Sequence, residues 1–160
     1  MVRVLFVCMG NICRSPIAQG VFEDLVRREG LEDEISVDSA GTHSYHTGKA
    51  PDPRAQDSAR RRGLDLGSQR ARRIGPEDCE SFDYVLTMDE ENYRAVAALC
   101  RRGGAEVRSF LDYAPDRAET EVPDPFYGGS ESFEHVLDLV EAASKGLLKE
   151  IRNKHLAGRT

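Results

Sequence analysis

The first apolar run, Val4-Leu5-Phe6-Val7, has no polar break, so Arg3 to Cys8 is predicted to be a strand covered on both faces. A tight loop follows from Met9 to Arg14. Ser15-Pro16 then opens a helix, with Ser15 as N-cap and Pro16 at the first helical position. Ile17, Val21, Phe22, Leu25 and Val26 form its apolar stripe, Arg27 and Arg28 suit its C-terminal end, and Gly30 stops it. Ile35 to Ser39 predicts a second strand, and Gly41 to Pro53 a long polar loop. Arg54 to Arg62 predicts a helix ended by Gly63. Phe82 to Thr87 reads as a third strand, Glu90 to Arg101 as a helix, and the alternation from Ala105 to Phe110 as a fourth strand. Leu111 to Pro125 reads as irregular. The last helix is the best marked, with Phe133, Val136, Leu137, Val140, Leu147, Leu148 and Ile151 at helical spacing, and the tail from Asn153 to Thr160 is expected to fray.

Strands alternating with helices predict an α/β fold of three layers. Its centre is a four-stranded, mostly parallel sheet with helices on both faces. The 160 residues are expected to form one domain with a real hydrophobic core. Ligands of such folds bind beyond the carboxyl ends of the strands, which is where the Cys8 to Ser15 loop lies.

The net charge of −6 argues against nucleic acid as a partner. No apolar run has the length of a membrane span, so no membrane insertion is expected. Met1 to Val7 lacks a small-residue cleavage site and does not read as a signal peptide. These features point to the cytosol, where Cys8, Cys13, Cys79 and Cys100 are expected as free thiols.

The segment Cys8-Met9-Gly10-Asn11-Ile12-Cys13-Arg14-Ser15 carries the candidate chemistry. A loop of this length can turn its backbone N–H groups inward as an anion-binding nest, and the helix behind it adds its amino-terminal amides. Arg14 can hold two oxygens of a phosphate with its planar fork. Gly10 permits close approach of the backbone. The same field favours a thiolate at the position of Cys8, and the Ser15 hydroxyl can donate to it. A thiolate there could attack phosphorus and form a covalent phosphoenzyme. No Gly-Lys-Ser/Thr follows, which excludes a Walker-type nucleotide loop.

With Pro16-Ile17-Ala18 this loop resembles that of the low-molecular-weight protein tyrosine phosphatases. The resemblance extends to Val37 to Gly41, Pro51-Asp52-Pro53-Arg54, Phe82 to Asp89 and Asp124-Pro125-Phe126-Tyr127-Gly128, and so spans nearly the whole chain. It implies a phosphotyrosine phosphatase with Cys8 as nucleophile, Arg14 as phosphate clamp and Asp124 as general acid. It also implies that Asn11 and Ser39 hold the loop in shape, and that Cys13 can form a disulfide with an oxidised Cys8. Gln69 departs from the histidine that eukaryotic members often carry in that segment. Physically, a tyrosine leaving group needs a proton from a placed acid, and Pro123 and Pro125 restrict the backbone at Asp124. No metal or cofactor is required. Inorganic phosphate is expected as product and inhibitor, and the protein is expected as a monomer or weak dimer.

Tyr45, Phe126 and Tyr127 are candidates for the walls of a slot that accepts a phenyl ring. The slot's depth would let phosphotyrosine reach Cys8 where phosphoserine falls short. Arginine phosphatases of the same fold typically carry Thr where this loop has Ile12 and lack the aromatic pair, so these residues favour tyrosine. Arsenate reductases need a close downstream cysteine pair, for which Cys79 and Cys100 look unsuited. A non-catalytic phosphotyrosine-binding module would need neither Cys8 nor Asp124. A zinc site at Cys8 and Cys13 lacks a second ligand pair. His43 and His46 read as solvent-exposed, and the arginine runs around Arg60-Arg62, Arg70-Arg73 and Arg101-Arg102 as solvated charge.

Overall fold

A computed structural model describes residues 1–156 of the chain. Ten elements follow in order: β1 (Val2–Cys8), α1 (Arg14–Arg28), β2 (Ile35–Gly41), α2 (Pro53–Arg60), α3 (Asp78–Ser81), β3 (Tyr84–Thr87), α4 (Glu90–Leu99), β4 (Glu106–Ser109), a 3-10 turn (Phe110–Tyr113) and α5 (Ser130–His155). The four strands pair in the order β2-β1-β3-β4, all parallel, with Val4 opposite Val37 and Tyr84. Phe110 to Tyr113 is helical where the end of the fourth strand and the start of an irregular stretch are expected, and α3 is an element the apolar pattern does not predict. The predicted fraying begins too early, because α5 stays regular through His155; residues 157–160 lie outside the described part.

Alternation along β1 divides the core. Val2, Val4, Phe6 and Cys8 pack on the face covered by α1, α2 and α5, while Leu5 and Val7 face α3 and α4. Both faces are covered, which is why the strand reads as a continuous apolar run. Phe6 meets Phe22 and Phe110 edge-on, at 5.8 and 4.8 Å between ring centroids. α5 lies tight on the 3-10 turn at Gly146, where a Cβ would collide with the Tyr113 carbonyl.

Two charge and thiol expectations need correction. Arg62 is not solvated charge: it reaches across to α5 and binds Glu134, Asp138 and Glu141 at 2.9, 3.0 and 3.1 Å. These acids recur every three or four residues along one helix face, so one guanidinium meets all of them. Cys79 and Cys100 are not free thiols but a disulfide with a Cα–Cα distance of 5.2 Å. Their separation in sequence is misleading. β3 crosses the sheet and α4 returns, which brings the end of α4 back beside α3 at the start of β3.

Candidate active site

The strand order reverses direction at β1, so the crevice at its carboxyl end is open for a ligand. Cys8 is the last residue of β1, Gly41 ends β2, and Asp89 lies two residues beyond β3. Gly41 lets its strand end approach the loop: a Cβ there would stand 2.7 Å from the Met9 carbonyl oxygen.

The loop from Met9 to Cys13 is held from several sides. Asn11 has φ +59°, the left-handed conformation that the sequence reading attached to no residue. Asparagine tolerates it better than most side chains. Its Nδ2 donates to Ser15 Oγ at 2.9 Å and Ser39 Oγ at 3.0 Å, and its Oδ1 accepts from the Arg72 backbone N–H at 3.0 Å. Ser39 Oγ in turn donates a hydrogen bond to Gln19 Oε1 at 2.7 Å. Gln69, where the resemblance leads one to look for histidine, donates instead to the Pro16 carbonyl at 3.1 Å. Arg72 is not simply solvated charge: it is tied to Asp38 and Asp78 at 3.1 and 3.0 Å and braces the loop.

Ser15 is not the N-cap. The helix begins at Arg14 after Cys13, with no side-chain cap. The Ser15 hydroxyl stands 3.0 Å from Cys8 Sγ instead. It accepts from Asn11 and lies farther, 3.4 Å, from the Ala40 carbonyl, so its proton is best directed at sulfur. The Asn11 backbone N–H also points at Cys8 Sγ, at 3.3 Å. Negative charge on Cys8 is therefore met by two donors and the positive end of α1. Cys13 differs: burial pushes its thiol well above the ordinary range, with Asp52 and Cys8 adding to the effect, so it stays protonated.

Arg14 is 3% exposed and is held by partners that sequence reasoning missed. Its Nη1 donates to Asp89 Oδ2 at 2.7 Å and to the Val122 carbonyl at 2.9 Å. Asp89 can serve it because its other oxygen caps α4, accepting from the Asn92 N–H at 2.8 Å. Burial opposes the charge on Arg14, but Cys8, then Asp89 and Asp124, outweigh it and raise its pKa above the ordinary value. Asp124 lies opposite, with Oδ2 3.7 Å from Arg14 Nη2 and Oδ1 accepting from the Phe126 N–H at 3.0 Å.

These groups share one cavity of about 390 Å³. Cys8, Met9, Gly10, Ile12, Cys13 and Arg14 line it together with Asp124, Tyr45, Phe126 and Tyr127, of which Tyr45 and Tyr127 are largely exposed, at 69% and 94%. Phe126 and Tyr127 meet edge-on at 5.0 Å, and Tyr45 stacks on His43 at 5.1 Å. The two loop histidines are half-buried, not solvent-exposed, and His46 joins the lining beside Gly10. A larger cavity of about 550 Å³, bounded by Gln19, Glu23, Asp38 and Gln69, lies behind the loop support. It is lined by no cysteine and by none of the loop from Cys8 to Arg14, so size does not mark the candidate site.

The model of the family described as "Low molecular weight phosphotyrosine protein phosphatase" matches residues 3–157. The Bacillus subtilis low molecular weight protein-tyrosine-phosphatase YfkJ is 38% identical over 155 residues, covering 96% of this chain and 98% of that protein. A protein tyrosine phosphatase from Entamoeba histolytica superposes with a TM-score of 0.92 at 34% identity, covering 96% of this chain and 98% of its own. The Drosophila arginine phosphatase superposes with a TM-score of 0.88 at 28% identity, covering 94% and 98%.

Proposed function

The chain belongs to the low molecular weight phosphotyrosine protein phosphatases and is a protein-tyrosine-phosphatase, and from that premise we propose that Cys8 is its nucleophile, Arg14 its phosphate clamp and Asp124 its general acid. One observation carries this assignment. Cys8 Sγ faces the Asn11 N–H and the Ser15 hydroxyl in a cavity it shares with Arg14 and Asp124.

The phosphoryl oxygens of the substrate seat on the loop amides and the Arg14 guanidinium. The Cys8 thiolate attacks phosphorus, the bond to the tyrosyl oxygen breaks, and Asp124 in its acid form gives that oxygen its proton. A cysteinyl phosphate remains. Water then attacks phosphorus while the Asp124 carboxylate takes a proton from it. The P–S bond breaks, inorganic phosphate leaves, and Cys8 returns as thiolate. Phosphate occupies the same loop as substrate, which makes it an inhibitor as well as a product.

Tyr45, Phe126 and Tyr127 hold the phenyl ring, and Ile12 keeps the floor apolar beside it. This favours phosphotyrosine over the phosphoarginine that the arginine phosphatases' name implies. With EDTA present, the protein is expected to turn over a phosphotyrosine peptide but neither a phosphoserine nor a phosphoarginine peptide. A preference for phosphoarginine would overturn the pocket reading.

The enzyme works in the cytosol, where Cys8 stays reduced. Both residues of the Cys79–Cys100 bond are buried, which slows exchange with dissolved thiols. Among the described residues no helix is long and apolar enough to cross a membrane.

Cys13 is the redox partner of Cys8. Peroxide converts the Cys8 thiolate to a sulfenic acid, and Cys13, losing its thiol proton to the departing hydroxyl as it attacks, displaces that hydroxyl as water and leaves a disulfide. Brief peroxide treatment is expected to inactivate the enzyme and dithiothreitol to restore nearly all activity. Cys13→Ser should make most of that loss irreversible. Peptide mapping without a Cys8–Cys13 linkage would refute this step.

A further inference from the structure

Pro51-Asp52-Pro53-Arg54 has no part in the reaction above, yet it lies between the two loops that carry it. The Asp52 backbone N–H donates to the Ile12 carbonyl in the phosphate loop at 2.8 Å. The Asp52 carboxylate caps α2, accepting from the Arg54 N–H at 2.8 Å. It also takes the Arg54 side chain through Nε at 3.0 Å and Nη2 at 2.9 Å, which fixes the guanidinium plane. That plane lies over two rings, 5.3 Å from the centroid of Phe126 and 5.1 Å from that of Phe133. Its Nη1 reaches the Gly128 carbonyl at 3.5 Å.

Phe126 and Gly128 belong to the acid loop, and the Phe126 N–H is the donor that orients Asp124. The loop has no regular secondary structure, and one backbone bond, Gly128 N–H to the Pro125 carbonyl at 2.9 Å, closes its turn. Arg14 joins the two loops from inside the cavity. Arg54 joins them from outside, through Asp52 to Ile12 on one side and Phe126 on the other.

We propose that Arg54 is a positioning residue: stacked on Phe126 and fixed by Asp52, it holds the acid loop against the phosphate loop so that Asp124 meets the leaving oxygen. This rests on Asp124 being the general acid. The Arg54 side chain is 44% exposed, so its ion pair with Asp52 adds little stability on its own. Its contribution is geometric, and small displacements of a proton donor are costly in rate.

The test measures kcat/KM for Arg54→Ala, Arg54→Lys, Asp124→Ala and the Arg54→Ala/Asp124→Ala double variant. Two substrates are used: a phosphotyrosine peptide, and an aryl phosphate with an activated nitrophenol leaving group. kcat/KM reports steps up to phosphoryl transfer, where the acid acts. Asp124→Ala should lose about 10²-fold on phosphotyrosine and far less on the activated ester. Arg54→Ala should lose about tenfold on phosphotyrosine and less than about twofold on the activated ester. Arg54→Lys keeps a charge beside Asp52 without the plane, so it should resemble Arg54→Ala. The double variant should be no slower than Asp124→Ala.

Wild-type rates in Arg54→Ala, equal losses on both substrates, or a further loss in the double variant would overturn the positioning role while leaving the acid intact. Equal losses on both substrates in Asp124→Ala would sink the acid assignment and this inference with it. If circular dichroism shows that Arg54→Ala does not fold, Arg54→Lys decides alone.

Discussion

Cys8→Ser is expected to lower turnover of a phosphotyrosine peptide by at least about 10⁴-fold, while inorganic phosphate still binds within a few-fold of wild type. The asymmetry follows from the site. On the proposed assignment phosphate would be bound by the loop amides and Arg14, which the substitution leaves in place. Attack on phosphorus, by contrast, needs an anion at position 8. A serine hydroxyl keeps its proton where a thiol gives it up, and the Ser15 hydroxyl and Asn11 N–H, at 3.0 and 3.3 Å from sulfur, are donors that cannot take that proton away. Steady-state rates and a phosphate inhibition constant on the same preparation check both halves. Mass spectrometry of the Cys8→Ser variant after incubation with substrate adds a third readout, because slow accumulation of phosphate on the introduced hydroxyl would place this position on the reaction path. Turnover within tenfold of wild type would remove Cys8 from its role.

The parts of the site that can be read along the chain are those whose geometry is local. β1 is legible because both its faces are covered, and the candidate phosphate loop because its cysteine, backbone amides and guanidinium fall within eight residues, Cys8 to Ser15. Ser15 shows how a local rule is outcompeted. Ser-Pro before an apolar stripe reads as a cap, but the hydroxyl is taken up by the thiol of Cys8, and the helix starts one residue earlier. The left-handed conformation of Asn11 could have been expected from the tolerance of asparagine for it.

Asp89, His46, Arg72 and the Cys79–Cys100 pair carried no such signal. Asp89 reaches Arg14 only because β3 is laid beside β1 in parallel register, with Val7 opposite Thr87. Arg72 becomes a brace because its chain segment runs alongside the end of β2, where Gly41 bridges Arg73. Topology, not composition, turns these residues from surface charge and scattered thiols into structure. The family resemblance supplied Asp124, which local physics alone leaves as an acid in a proline-flanked turn.

Arg14→Lys should also be damaging, though less so than losing the nucleophile, even though the charge is kept. A loss of about 10²–10³-fold in kcat/KM on phosphotyrosine is expected, of the size seen when one donor to a developing anion is removed. The guanidinium serves two sets of partners at once. Nη1 is committed to Asp89 and the Val122 carbonyl at 2.7 and 2.9 Å, which leaves the rest of the fork to face the cavity. A lysine has one nitrogen. Asp89, fixed by its bonds at the start of α4, competes with substrate for it and draws it away from the phosphate. Phosphate inhibition should weaken in parallel with kcat/KM, because the ground state loses the same fork. The competition can be tested directly. Asp89→Asn keeps the cap of α4 but removes the charge, so adding it to Arg14→Lys should return part of the lost activity. In the wild-type background the same change should cost activity by loosening Arg14. If Arg14→Lys stays within about threefold of wild type, the bidentate clamp is not what this site uses; if Asp89→Asn costs the same in both backgrounds, Asp89 acts on something other than Arg14.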